Sequence, residues 1–181
     1  MKVEKFKIAG WKYPEIGLLI DENEEWVLVK HIPVDYVIDG YKLLRKEYIL
    51  KRTSTKKEKS VELVLSLKGI KEDKPEGFKF KDVVQTLQWS QEKYGLFEFQ
   101  DETESELFYG RINEVSEGLL IIDMIKSNGK EEKAYDFTFE LNQIRVITCE
   151  TNYFHSIQVL WRHQKEAKKK KALVKDENQA N

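Results

Sequence analysis

The sequence is short of several things, and each shortage excludes something. It has one cysteine in 181 residues, Cys149, so no internal disulfide can staple the fold. There is no C-x-x-C and no H-E-x-x-H, and the three histidines, His31, His155 and His163, lie apart; no metal-ligand spacing is present. The nine glycines stand singly, which leaves no phosphate-cradling loop, no dinucleotide fingerprint and no G-x-S-x-G elbow. No stretch approaches the roughly 20 apolar residues of a membrane span. The start, MKVEKFKIAGWKYPEI, lacks the apolar run of a signal peptide. The expectation is a soluble, cytoplasmic protein with no membrane partner, its lone thiol suited to a reducing compartment. Neither sign of charge is in excess: 31 basic and 32 acidic residues leave a net charge of -1. Such a balance does not point to a protein built around a polyanion.

What is present is a chain with enough apolar residues for a core (40%) and a heavily charged surface (35%). Residues 1–50 read mostly as strand. Ile16–Ile20 and Trp26–Val29 are apolar runs separated by Asp21–Glu25, a stretch too polar to bury and of hairpin-loop length. Pro33 ends or bulges the second run, Asp39-Gly40 can take the positive φ of a tight turn, and Tyr41–Leu50 supplies one or two strands more. Lys51–Ser60 reads as a basic linker or an exposed helix start. Val61–Ile70 fits both periods; the Lys/Glu-rich lead-in assigns it to helix, with Gly69 to stop it. Asp82–Tyr94 is the clearest helix, with Asp82 and Gln85 at capping-box spacing, Val83, Val84, Leu87 and Tyr94 at helical period, and Gly95 at its end.

Five short strands follow. They are Leu96–Phe99, Leu107–Asn113, Leu119–Ile125, a strand alternating Phe137, Phe139 and Leu141 with Thr138 and Glu140, and Ile144–Thr148; Ser127-Asn128-Gly129 marks a hairpin. Tyr153, Ile157, Leu160 and Trp161 then recur at helical spacing, predicting a terminal helix that docks by its first turns and frays into a basic tail.

Laying Gly17 on Gly110 brings Leu19 onto Ile112, Trp26 onto Leu119, Leu28 onto Ile121 and Ile32 onto Ile125, and a small gap brings Ile49 near Ile144. This predicts a duplication. From Val83 to Thr148 the chain resembles the Sm-like fold, a helix followed by a bent five-stranded barrel. Phe97 and Phe99, Tyr109-Gly110 with Ile112, Leu119 and Ile121, and FTFELNQIRVI (137–147) carry the resemblance. The resemblance implies that Gly110 sits where the long second strand bends. It departs from the family in the loops. Ser116-Glu117-Gly118 and Leu141-Asn142-Gln143 stand where the family carries its RNA-contacting Asn and Arg-Gly pair, so the familiar RNA site is not implied.

The expected fold is therefore mainly β with helices (α+β): two tandem five-stranded Sm-like or SH3-like barrels joined by helical connectors, with a C-terminal helix. The expected divisions are 1–52 for the first barrel, 53–79 for a linker with a helix, 80–165 for the second barrel with its helices, and 166–181 for a polar tail. No cofactor, metal or catalytic constellation is legible. The carboxylates crowd into two loops, Asp21–Glu25 and Asp101–Glu106, where solvation denies them the shifted pKa of a general acid or base. The leading expectation is a non-enzymatic binding or scaffold module with a protein partner, existing as a monomer or low-order oligomer. One alternative is sequence-independent RNA or DNA binding through Lys51, Arg52, Lys56, Lys57 and the tail lysines Lys168, Lys169, Lys170 and Lys171, since lysine runs release counterions from phosphates. Another is an enzyme with a site between the two barrels.

Overall fold

The computed structural model describes residues 1–179, with side chains to Lys170. The chain forms β1 (Val3–Ile8), β2 (Glu15–Glu22), β3 (Trp26–His31), β4 (Tyr41–Arg45), a 3-10 turn (Lys46–Tyr48), β5 (Ile49–Thr53) and α1 (Lys56–Leu67). After a loop come α2 (Val83–Tyr94), β6 (Phe97–Gln100), β7 (Phe108–Ser116), β8 (Leu119–Ile125), a two-residue β9 (Glu131–Glu132), β10 (Thr138–Glu140), a second 3-10 turn (Leu141–Gln143), β11 (Val146–Cys149) and α3 (Asn152–Gln179).

The strands make one open antiparallel sheet ordered β10-β8-β7-β6-β11-β4-β3-β2-β1-β5, with β9 paired to β8. The fold is mixed α+β. The two halves are joined by direct strand pairing: β4 lies against β11, with Leu44 opposite Val146 and Tyr41 opposite Cys149. Residues assigned from sequence to separate domains thus share a sheet.

The pairing register repeats between halves. Glu4 and Phe6 face Gly17 and Glu15 in the first half; Phe97 and Phe99 face Gly110 and Phe108 in the second. Gly17 faces His31 and Leu19 faces Val29, with a bulge before Asp21. Gly110 faces Met124 and Ile112 faces Ile122, with a bulge before Glu114. Each pair is displaced along the chain by the same number of residues as Gly17 from Gly110. Each half places a 3-10 turn between its last two strands, and each follows its last strand with a helix. Both helices are capped by threonine: Thr55 Oγ1 accepts from the Lys57 amide at 3.3 Å, and Thr151 Oγ1 accepts from the Phe154 amide at 3.0 Å. A side-chain oxygen at this position satisfies an amide that has no intrahelical partner.

Burial explains the docking of these helices. Val61 and Leu65, one turn apart on α1, pack with Val3, Leu18 and Ile32. Ile157 and Trp161, one turn apart on α3, join the main core with Leu96, Phe97 and Ile125. Removing such side chains from water gains about 1.5–3 kcal/mol each. A further cluster, Phe6, Trp11, Val27, Val29, Leu44 and Val146, spans the β4–β11 junction.

Several local expectations hold. The Asp82 carboxylate accepts from the Gln85 amide at 2.8 Å, and Gly95 ends α2 at φ 90°. The Val61–Ile70 segment is helical through Leu67, and Gly129 takes φ 75° in the β8–β9 turn. Others change. β5 runs to Thr53 and α1 begins at Lys56 with a complete capping box through Thr55 and Glu58, so little of 51–60 is linker. Only Phe139 of the expected inward face is buried; Phe137 is exposed and lies before β10, because that strand is only three residues long. The Trp89 ring on α2 sits edge-on to Phe78 and Tyr94. α3 continues as helix through Lys168–Lys170 instead of fraying.

Candidate functional site

The basic residues singled out from sequence divide between separate surfaces. Lys51 is exposed on β5 and, with Lys5, Lys7 and Lys12, lines a shallow groove of about 210 Å³. Arg52 is committed to neighbouring carboxylates, donating from Nη1 to Glu22 at 2.8 Å and from Nε to Glu4 at 3.1 Å. Arg52, together with Lys46, holds the Glu22 carboxyl down at about 2. Lys56 is exposed at the start of α1, and Lys57 pairs with Asp35 at 3.3 Å. Lys168 and Lys169 belong to the other half, where they line a cleft of about 300 Å³ beside Trp161. Lys170 is exposed on α3, and the side chain of Lys171 lies outside the described residues. The β5–α1 set and the α3 set therefore do not share a groove.

Between the halves lies an open groove of about 520 Å³, lined by Glu25 and Arg45 on one side and by Asp82, Glu117, Glu140 and Asn142 on the other. Its arginine is structural. Arg45 Nη1 donates to the carbonyls of Leu141 and Asn142, each at 3.0 Å, and Tyr48 donates its hydroxyl to the Asn142 carbonyl at 2.7 Å. The Leu141–Gln143 loop is thereby a fastening between halves. Arg145 returns the fastening: its Nη1 donates to the carbonyls of Ala9 and Glu102. The groove lining offers carboxylates and an arginine committed to backbone carbonyls, with no histidine, cysteine or serine among its described residues. Neither Arg45 nor Arg145 was singled out by sequence reasoning. Their role depends on carbonyls far away in the chain, and no local pattern signals it.

A buried polar row crosses the junction strands. Tyr109 on β7 faces Glu98 on β6, which faces Thr148 on β11, which faces Lys42 on β4. Glu98 is 3% exposed. Burial pushes its carboxyl up, opposed by the Tyr109 hydroxyl and the Lys42 charge; one carboxylate oxygen and the Tyr109 and Thr148 hydroxyls lack a hydrogen-bond partner among the described residues. Lys42 Nζ reaches instead to Glu15 at 2.9 Å, and His31 also faces Glu15. Burial raises the Glu15 carboxyl, but the His31 hydrogen bond and the Lys42 charge outweigh it and bring it to about 2. A carboxyl held up by desolvation has the chemistry of a proton carrier, yet Glu98 lines none of the grooves described above.

Cys149 is buried, and burial pushes its thiol up, out of the reactive range. Among the described residues no group of three or more His, Cys, Asp or Glu side chains is placed to hold a metal ion. No described helix is long and apolar enough to cross a membrane. Compared with known proteins, the chain matches no family model, no curated protein and no solved structure.

Proposed function

We propose that this chain is a non-enzymatic scaffold module, built from two tandem small barrels of the Sm-like or SH3-like type, that binds protein through the outer edges of its sheet. The observation that carries the reading is the β4–β11 pairing. There the fourth strand of one half meets the fifth strand of the other. The same two kinds of edge, β10 and β5, remain at the ends of the sheet. An unpaired edge presents a row of backbone donors and acceptors ready to take another strand.

Charge supports the choice of partner. Lys5, Lys7, Lys12 and Lys51 gather beside β5, whereas Glu114 and Glu117 flank Thr138 of β10, and Glu140 ends that strand. Exposed Leu50 and Phe137 add apolar surface at opposite ends. The partner that fits both ends is a second copy of this chain, its acidic edge laid on the basic edge of the first. Because one such junction is already internal, a ring closed by this head-to-tail contact needs only half as many chains as it has halves, which favours an assembly of low order.

Sedimentation velocity over a wide concentration range tests the reading. The full chain self-associates reversibly and less at high salt. Lys51→Glu and Glu140→Lys each weaken association, and the mixture of the two single variants restores it. A chain that stays monomeric at every concentration and salt overturns the proposal.

A further inference from the structure

The stripe of α3 that faces the sheet changes chemistry along its length. Phe154, Ile157 and Trp161 are buried against the second half. Residues four, seven and eight positions beyond Trp161 share its side of a helix, and these are Lys165, Lys168 and Lys169. A solubilising helix carries its lysines on the outward side. Here the outward positions near the cleft include the exposed Val159 and Leu160, while the lysines continue the inward stripe and line the cleft.

The sheet supplies the opposite wall. Arg111 projects from β7 with its guanidinium 6.0 Å from the centre of the Trp161 ring, and Lys165 Nζ lies 4.4 Å from the same centre. Trp161 is fixed between them, because its Nε1 donates to Glu131 at 2.8 Å. The close approach of α3 depends on two glycines: a Cβ at Gly95 would come within 2.7 Å of the Trp161 ring, and one at Gly129 within 2.5 Å of the Leu160 backbone. The lysines are thus held on a pinned helix.

One carboxylate, Glu131, lines the cleft, and a second, Asp123, lies across from Arg111 on β8; both are already engaged. Lys133 bridges Asp123 at 2.7 Å and Glu131 at 2.5 Å. Among the described residues Arg111, Lys165, Lys168 and Lys169 make no ion pair, and the Arg111 Nε is buried without a hydrogen-bond partner. Four positive side chains converge on a cleft whose one lining carboxylate, Glu131, is already held by Lys133 and Trp161, and the excess positive charge raises the local concentration of anions.

We propose that this cleft binds a compact polyphosphate anion, held by Arg111, Lys165, Lys168 and Lys169. The cleft is about 300 Å³, at the small end of ligand sites. Arg111 supplies the planar fork that phosphates take in pairs of hydrogen bonds, and the lysines supply point charge. A nucleic-acid strand fits less well. Such strands bind by stacking bases on aromatic faces, and the Trp161 ring is 5% exposed with both cations over it.

Titration of the full chain with sodium tripolyphosphate, with ATP and with a short single-stranded RNA tests the site, read by calorimetry and by the indole N–H resonances. The Trp161 resonance, assigned with Trp161→Phe, shifts on adding tripolyphosphate to the wild type. Lys165→Gln/Lys168→Gln and Arg111→Gln each weaken binding by about tenfold or more, while Lys51→Gln/Lys56→Gln does not. ATP binding at least as tightly as tripolyphosphate identifies a nucleotide as the source of the phosphates. No shift of the Trp161 resonance, equal weakening by the β5–α1 control, or RNA binding more tightly than both phosphates overturns the proposal. The wild-type resonance keeps the test decisive even if a variant fails to fold.

Discussion

Gly17→Ala is the sharpest test of the close strand packing that repeats between the halves. Gly17 has no unusual φ, so only space is at issue. A Cβ there would lie 2.5 Å from Val29 Cβ and 2.6 Å from Val29 Cγ2, with the Lys30 carbonyl oxygen at 3.1 Å. A Cβ moves only with its backbone, so relief requires shifting β2 against β3. Overpacking of this kind costs about 1–3 kcal/mol, and the rigidity of the neighbour places it in the upper part of that range. Alanine recovers about 0.4–1 kcal/mol by restricting the unfolded chain. The net loss is about 1.5–2.5 kcal/mol. For a chain of this length that lowers Tm by roughly 3–10 °C. Gly110→Ala, at the corresponding position, meets Ile122 Cδ1 at 2.9 Å, the Asp123 carbonyl oxygen at 3.0 Å and Ile122 Cβ at 3.2 Å; turning the end of the isoleucine side chain relieves only the first, and the milder remaining contacts cost about 1 kcal/mol. Urea unfolding of both variants, with a Gly17→Ala/Val29→Ala double-mutant cycle, measures the effect. The double variant is more stable than the sum of the singles predicts, because removing Val29 Cγ atoms lifts part of the clash. A Gly17→Ala loss under 0.5 kcal/mol, or strict additivity, refutes the packing argument.

Two further outcomes follow from the junction strands. Arg45→Ala removes two hydrogen bonds to carbonyls of the other half and costs about 1.5–3 kcal/mol in urea unfolding, more than Arg45→Lys, whose amine cannot reach both carbonyls as a fork. The pH dependence has two signs. Glu15, Glu22 and Glu58 are each held at about 2 in the folded chain. The unfolded chain binds more protons below its ordinary carboxyl range, so their stabilisation is complete above about 4.5 and is lost as pH falls toward 2. Glu98 is shifted up, so its contribution is lost as pH rises through its folded value. Glu98→Gln therefore stabilises the chain more at pH 7 than at pH 4, and denaturant titrations at both values check it.

The parts of this protein legible in its sequence are those set by neighbours in the chain. α2 is legible because Asp82 caps its start by accepting from the Gln85 amide and Gly95 ends it, although no return bond from the Gln85 side chain completes a capping box. The β8–β9 turn is legible because Asn128-Gly129 accepts its backbone angles. The correspondence of Gly17 with Gly110 is legible because the neighbouring strand leaves no room for a side chain in either place. Short strands mislead: three residues of β10 leave Phe137 outside the alternation that sequence assigns it. The candidate sites were hardly legible at all. Lys168 and Lys169 stand out as a charge run, but Arg111, Trp161 and Lys165 become a site only when α3 is laid along β7 and the β8–β9 turn. Arg52, equally conspicuous in sequence, turns out to be absorbed by Glu4 and Glu22.

The sequence by itself determined the local elements, the helix caps, the β character and the two-part pattern, because each depends on residues a few positions apart. Only the tertiary structure decided that the halves share one open sheet, because strand pairing is a property of edges and not of any segment. It decided equally which charges are spent and which converge. An ion pair joins residues tens of positions apart in the chain: Arg52 is taken up by Glu4 and Glu22, whereas Arg111, in the α3 cleft, makes no ion pair among the described residues.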